Sequence, residues 1–451
     1  MYALYSLLTA AGVLLLSPYF LLRGLIRGKD LHNIPERLGW KFPAELSGGS
    51  GNSSREKSIW IHAVSVGEVL AVLPLARHLK QKYSRRRLVV STTTATGQKV
   101  ARERMPFADA IFYFPLDWRG PVRRALAAAR AGAVIIVETE IWPNFLHECR
   151  RAQVPVIFVN GRLSERSHRG FQRALLFSAG ALAGFLKRIL RDATLFLMQS
   201  EADAERLVAL GAPTERVVVT GNLKYDFAEP SENSVSAWVG RELANGTRGP
   251  VLIAGSVMAN EEDAILRAFG DVEREYPRAL LILAPRKPEQ FERAASIISQ
   301  AGRKLVRRSK ILLNGSAAGG LSELGSVFLL DSLGELASLY RFADVVFVGG
   351  SLVPIGGHNI LEPAAFSKVP IYGPSMENFR AMATQFLSAK AAIEVKSAEE
   401  LSAAWKGLLG DPTRAAGMGE RARDLAYRNR GATAAVLEHI ERVIGADRGE
   451  S

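Results

Sequence analysis

The sequence predicts an α/β protein made of two doubly wound domains, each with a mostly parallel sheet. Two observations carry this: short apolar, β-branched runs alternate with helical stretches, and one polar segment interrupts the alternation before it resumes. In the first half, strands are expected at 59–64, 87–92, 110–114, 133–137, 155–160, 194–199 and 217–220. The break is "AEPSENSVSAWVGRELANGTRGP", rich in linker-forming residues. Strands are then expected at 251–255, 279–284, 327–330, 345–348 and 369–372. The expected division is an N-terminal anchor at 1–27, a first domain at 28–228, a linker at 229–250 and a second domain at 251–451, with helices over its last stretch, 399–444, whose end could pack back on the first domain.

Composition narrows the class. A chain of 451 residues, 48% hydrophobic and 23% charged, has the makings of two substantial cores. Its one cysteine, Cys149, excludes an internal disulfide framework, and its seven scattered histidines show no ligand spacing, so no metal site is expected. A formal charge of +13 calls for an anionic partner, nucleic acid or a membrane. The N-terminus favours the membrane. Residues 2–22 carry no charge and are followed by Arg23, Arg27 and Lys29, a retained anchor that spans the bilayer or lies partly in it, with the body of the protein on the cytoplasmic side; the alternative is a buried core helix. No nucleic-acid recognition motif accompanies the charge, so nucleic acid is not an expected partner.

Within "WIHAVSVGEVL" a strand gives way to a helix at Gly67, and Ser65 and Glu68 stand at the capping-box spacing. Glu68 therefore has two readings: a helix cap, or a general base at the carboxyl end of a parallel strand, where open α/β sheets place their ligands. "LAPRKPEQF" sets Arg286 and Lys287 just after a strand, as phosphate contacts or as a solvated turn. "DSLGELASLYRF" and "GGSLVPIGGHNILEPAAF" bring glycine turns to helix starts, with Glu362 one turn into a helix where it could accept from a ribose diol. Neither a dinucleotide fingerprint nor a P-loop is present.

Taken together and in order, "ERLGW", "HAVSVGE", "STTTATG", "FPLD", "VETEIWPN", "NGRLSERS", "QSEADAERLVALGA", "GNLKYD", "APRKPEQF", "DSLGEL" and "GGHNILEPA" closely resemble the Kdo (3-deoxy-D-manno-oct-2-ulosonic acid) transferases of lipopolysaccharide synthesis. The resemblance implies the GT-B fold, two Rossmann-like domains facing a cleft. It implies inverting transfer of Kdo from CMP-Kdo to a lipid A precursor, a tetraacyl disaccharide bisphosphate, on the cytoplasmic side of the anionic inner membrane. It implies no cofactor and no metal in the transfer step. Glu68 matches the family's catalytic base. Pro285, Arg286, Gly334, Glu335, Leu336, Asn359, Ile360, Leu361 and Glu362 match its CMP-binding elements. Glu138, Glu140, Arg162 and Arg166 are expected toward the acceptor or the membrane, with the basic runs at 85–87 and 187–191 meeting lipid A phosphates and the anionic leaflet. One loop departs from the pattern: Gly255-Ser256-Val257-Met258-Ala259-Asn260-Glu261-Glu262 stands where Gly-Ser-Thr-His-x-Gly-Glu-Glu is expected, so no histidine role carries over there. Two other classes stay open: a GT-B enzyme using another nucleotide sugar, since fold does not set the donor, and a membrane-tethered nucleic-acid-binding protein.

Overall fold

Strands form where the chain is apolar enough to be covered on both faces, as buried parallel sheets require. The computed structural model describes residues 1–27, 33–47, 57–163, 165, 168–170, 181–226, 231–244, 249–311, 321 and 327–446. It contains two seven-stranded sheets, and every strand pair in them is parallel. The first comprises β1 (Ser58–His62), β2 (Leu88–Thr92), β3 (Ala110–Tyr113), β4 (Ala131–Val137), β5 (Val156–Gly161), β6 (Leu195–Met198) and β7 (Val217–Val219), in the order β3-β2-β1-β4-β5-β6-β7. The second comprises β8 (Val251–Val257), β9 (Leu280–Pro285), β10 (Leu305–Arg307), β11 (Val327–Leu329), β12 (Val345–Val348), β13 (Pro370–Tyr372) and β14 (Ile393–Glu394), in the order β10-β11-β9-β8-β12-β13-β14. The strands β10 and β14, at the two edges of the second sheet, were not expected from the sequence.

The period-two pattern of β1 shows how the first sheet divides its cores. Ile59 and Ile61 face one layer with Val69, Val72 and Leu75. Trp60 faces the other with Phe112, Phe145 and Leu146. In the second sheet, Leu252 and Ala254 of β8 pack with Ile265, Phe269 and Trp405.

The chain divides into a first unit of Met1–Asp226 with Arg430–Ser451, and a second unit of Phe227–Asn429. This differs from the expected division in two ways. The segment 229–250 is no open linker: it holds the helix Ser234–Ala244, whose Val235, Trp238 and Val239 are buried. The final helix, Ala432–Ala446, belongs to the first unit and inserts Val436, Leu437, Ile440 and Ile444 into the layer that Ile59 and Ile61 face. Such a return after some two hundred residues leaves no local signature in the sequence.

The N-terminus forms one helix, Tyr2–Arg27. Among the described residues no helix is long and apolar enough to cross a membrane.

In each sheet the first strand in sequence pairs on one side with its successor and on the other with a later strand, β1 between β2 and β4, β8 between β9 and β12. Those are topological switch points, beside which connections diverge and leave a crevice at the strand carboxyl ends.

Candidate active site

At the first switch point, β1 leads into the helix Val66–Lys82, with Ser65 at its N-cap and Glu68 in its first turn. Glu68 is buried, 7% exposed. Its Oε2 accepts from the Val64 amide at 2.7 Å, and its Oε1 accepts from the Ser65 hydroxyl at 2.8 Å. This is not a capping box, in which the serine oxygen would accept from the helix and the glutamate from the N-cap amide. Here Ser65 makes no capping bond and serves the carboxylate instead.

The "STTTATG" motif explains why the Val64 amide is rigid. The Val64 carbonyl accepts from the Thr93 amide at 3.3 Å, the Thr94 amide at 3.2 Å and the Thr94 hydroxyl at 3.1 Å. Gly97 is required beside it, since a Cβ there would lie 2.8 Å from the Thr94 hydroxyl oxygen.

Burial pushes the Glu68 carboxyl up to about 7, and the negative charges of Glu138 and Glu140 add to the rise while the Val64 and Ser65 hydrogen bonds oppose it. Glu138 follows β4 with φ of 61°, a left-handed conformation that costs a non-glycine residue about 1 kcal/mol or more and is held here by its amide bond to the Val159 carbonyl. Its carboxylate lies 3.5 Å from Lys224 of "GNLKYD". Glu140 is also pushed up, by burial and then by Glu138. Arg162 follows β5, and its amide and carbonyl both bond the Thr139 hydroxyl, which ties it to the same turn. The structure thus gathers Glu68, Glu138, Glu140 and Arg162; Arg166 lies outside the described residues. Because Glu138 raises Glu68, Glu138→Gln is expected to shift the acid limb of a pH–rate profile to lower pH, measured as initial rate against pH for both proteins.

The basic runs 85–87 and 187–191 stand apart from Glu68. Arg86 and Arg87 are buried at the entrance to β2, and Arg87 donates to the Glu45 carbonyl. Lys187 and Arg188 end the helix Ala181–Leu190 that feeds β6. Both runs lie at the amino edge of the first sheet, opposite Glu68.

In the second unit, β9 ends at the buried Pro285, and the Arg286 amide bonds the Val257 carbonyl at 2.9 Å. The Arg286 side chain is exposed, and its guanidinium makes no hydrogen bond or ion pair to a described residue. It is close enough to act on two groups of the "GGHNILEP" motif: its charge opposes the rise that burial imposes on Glu362, and adds to the burial that holds His358 at about 4, hence neutral. Asn359 donates to Glu362 at 3.4 Å and accepts from the Leu361 amide at 3.1 Å. Ile360 and Leu361 are buried. Gly334 has φ of 86° and open space where a Cβ would stand. Leu336 and the Tyr340 hydroxyl crowd Gly255, where a Cβ would lie 2.0 Å from that oxygen.

Glu335 stands at the N-cap of the helix Leu336–Leu339. Its carboxylate is engaged by Arg308 at 2.9 and 3.1 Å and by the Ser332 hydroxyl. The helices Leu336–Leu339 and Leu361–Ala364 have four residues each, so their dipoles are small and positive charge in this site comes chiefly from Arg286. Among the described residues no group of three or more His, Cys, Asp or Glu side chains is arranged to hold a metal ion.

Sequence reasoning gave no role to Glu261, in the divergent loop. It is fully buried and its two oxygens accept from four backbone amides, those of Met258, Gly350, Ser351 and Leu352, at 2.6–3.0 Å. It stands one residue before the helix Glu262–Glu275 without capping it, and three of its four partners lie about ninety residues on in the chain, where no local pattern reports them.

Two relatives settle the family. A transferase from Haemophilus influenzae, a 3-deoxy-D-manno-octulosonic acid transferase, is 34% identical over 88% of this chain and 90% of its own length. A Bordetella pertussis protein of the same description is 33% identical over 91% and 90%. The chain belongs to the 3-deoxy-D-manno-octulosonic acid transferases. The family profile described as 3-deoxy-D-manno-octulosonic-acid transferase (kdotransferase) matches residues 32–227, which hold Glu68, Glu138, Glu140 and Arg162. Its members are glycosyltransferases that act in lipopolysaccharide biosynthesis, and so does this chain. The fold agrees with solved structures: a glycosyltransferase from Rickettsia africae aligns with a TM-score of 0.52 at 12% identity over 88% of this chain and all of that one. A UDP-GlcNAc 2-epimerase from Neisseria meningitidis aligns at 0.51, 12% identical, over 86% of this chain and all of that one. These show two parallel-sheet α/β domains of GT-B type.

Proposed function

We propose that this Kdo transferase takes Kdo from CMP-Kdo and places it on a lipid A precursor at an anionic membrane surface, with Glu68 as general base. The observation that carries this is the buried Glu68 carboxyl, pushed up to about 7 at the switch point of the first sheet. A carboxylate of that strength is matched to accepting a proton near neutral pH. An acceptor hydroxyl oxygen bonds to C2 of Kdo as its proton passes to Glu68, and the bond from C2 to the phosphate oxygen breaks with its electron pair leaving on CMP. One displacement inverts the anomeric centre. Arg286 meets the departing phosphate; Asn359 and Glu362 hold the nucleoside. Arg162 and Lys224 offer positive charge to acceptor phosphates beside the base. None of these roles calls for a metal.

Membrane attachment is supported by the uncharged residues 2–22 and by Leu4, Leu7, Leu8 and Leu15, which the N-terminal helix exposes by 58 to 79%. Positive charge at 23, 27 and 29 suits an anionic leaflet.

The test is to supply purified protein and a tetraacylated disaccharide bisphosphate with CMP-Kdo or with a UDP-sugar, following nucleotide release and product mass. CMP release with a mass gain of one or more Kdo units is expected. Release of UDP instead would replace the donor assignment. Arg286→Ala is expected to raise the KM for CMP-Kdo about tenfold to a hundredfold, the worth of about 1.5 to 3 kcal/mol for a charged hydrogen bond to phosphate, with little change in the KM for acceptor. An unchanged donor KM would remove Arg286 from the site.

A further inference from the structure

The N-terminal helix is joined to the first unit far more closely than a tether needs to be. The Tyr2 hydroxyl donates to Asp192 at 2.6 Å, and its ring stacks on His147 with centroids 4.1 Å apart. Tyr5 hydrogen-bonds Asp117. Asn144 donates to the Ser6 hydroxyl at 3.0 Å, and the Trp118 indole donates to the Thr9 hydroxyl at 3.2 Å. Residues 2, 5, 6 and 9 form one helical stripe. The polar face of this helix therefore turns to the protein, and Leu4, Leu7 and Leu8 turn away.

Direction follows from the partners. Asp192 precedes β6 and so lies at the amino edge of the first sheet, whereas Trp118 follows β3 and Asn144 opens the helix Pro143–Arg151 after β4, both at the carboxyl edge. The helix thus runs from the amino edge toward the edge that carries Glu68. It then leaves the domain: Val13, one turn beyond Thr9 on the docked stripe, is 49% exposed. At 1.5 Å per residue, residues 10–27 reach about 27 Å further. Among the described residues, the other large apolar side chains exposed on this unit, Ile34, Trp40, Leu70 and Leu182, collect at the same edge. Trp40, 71% exposed, follows a short helix whose Arg37 and Glu36 bond Thr93 and Tyr113; Leu70 is two residues from Glu68; Leu182 opens the helix Ala181–Leu190.

We propose that the N-terminal helix is a rigid strut, seated on the first unit through Tyr2, Tyr5, Ser6 and Thr9, which holds the Glu68 edge of the sheet facing a lipid bilayer at a set orientation. This rests on the membrane reading above. A tether raises local concentration only, whereas a seated strut also fixes the angle at which a lipid-borne hydroxyl meets the base, and orientation governs rate steeply. Ser6 and Thr9 are positioning residues; they touch no substrate.

The decisive variant inserts six Gly and Ser residues after Gly12, which leaves the docked turns and the apolar segment intact and uncouples one from the other. Ser6→Val with Thr9→Val loosens the seat while keeping the helix apolar. Each is compared with the full chain for co-sedimentation with phosphatidylglycerol-containing vesicles and for transfer to acceptor in those vesicles and in detergent micelles. Vesicle binding and the micelle rate should hold while the vesicle rate falls about tenfold or more. An unchanged ratio of vesicle to micelle rate, whether both rates hold or both fall, overturns the strut and leaves the membrane reading standing. Failure of the full chain to bind vesicles overturns the membrane reading and the strut with it.

Discussion

Glu68→Gln lowers turnover by about a hundredfold or more, the scale on which a positioned general base acts, and leaves CMP affinity intact because the donor groups belong to the second unit. In the parent protein the rate rises with pH through about 7, as the carboxyl ionises, and the variant loses that limb. Stability distinguishes this from a structural role. The Glu68 proton is held more tightly in the folded chain, about 7, than in the unfolded chain at the ordinary value of 4.5, so the folded state binds more protons between those values and the parent loses stability as pH rises across them. Glutamine keeps an acceptor for the Val64 amide without carrying charge, so at pH 8 the variant should melt no lower than the parent. Initial rates, CMP binding by calorimetry and thermal unfolding at pH 5 and pH 8 check all three. A variant that melts markedly lower with its turnover intact would make Glu68 a structural residue.

Much of the architecture could be read from the chain because parallel sheets covered on both faces demand uninterrupted apolar runs, and every expected run became a strand. The strands that escaped notice sit at edges: β10 is Leu-Val-Arg, half-exposed throughout, and β14 pairs two residues only. The segment 229–250 misled because its Ser, Asn and Gly dominate the composition, while the helix within it is fixed by Val235, Trp238 and Val239 against the second unit. At the site, residues close to a strand end in sequence were legible, Glu68, Arg286 and Glu362 among them. Convergence was not: Thr94, Glu138 and Lys224 come from three connections, and only the β3-β2-β1-β4-β5-β6-β7 order brings them near Glu68.

The donor site should depend as strongly on Glu261, which touches none of its ligand-facing groups. Its Oε2 accepts from Met258 and Gly350, and its Oε1 from Ser351 and Leu352. These bonds fix the turn after β12, and the fixed turn sets the next one: the Gly357 amide bonds the Gly350 carbonyl at 2.8 Å, and a Cβ on Gly350 would stand 2.8 Å from the His358 ring. His358, Asn359 and Glu362 follow directly. Glutamine in place of Glu261 turns one oxygen into a donor facing two amides, and each buried amide left unsatisfied costs about 1 to 3 kcal/mol. Glu261→Gln is therefore expected to lower the melting temperature by roughly 5 to 15 °C and to weaken CMP binding about tenfold or more, with KM for the donor rising more than kcat falls. Glu262→Gln is the control, since the neighbouring carboxylate accepts from one amide only, that of Asn260 at 2.7 Å, and a smaller loss is expected. Thermal unfolding and calorimetric CMP titration of both variants give the comparison. If Glu261→Gln bound CMP and melted like the parent, the turn after β12 would be held by its own backbone, and the chain of contacts from Glu261 to Glu362 would carry no force.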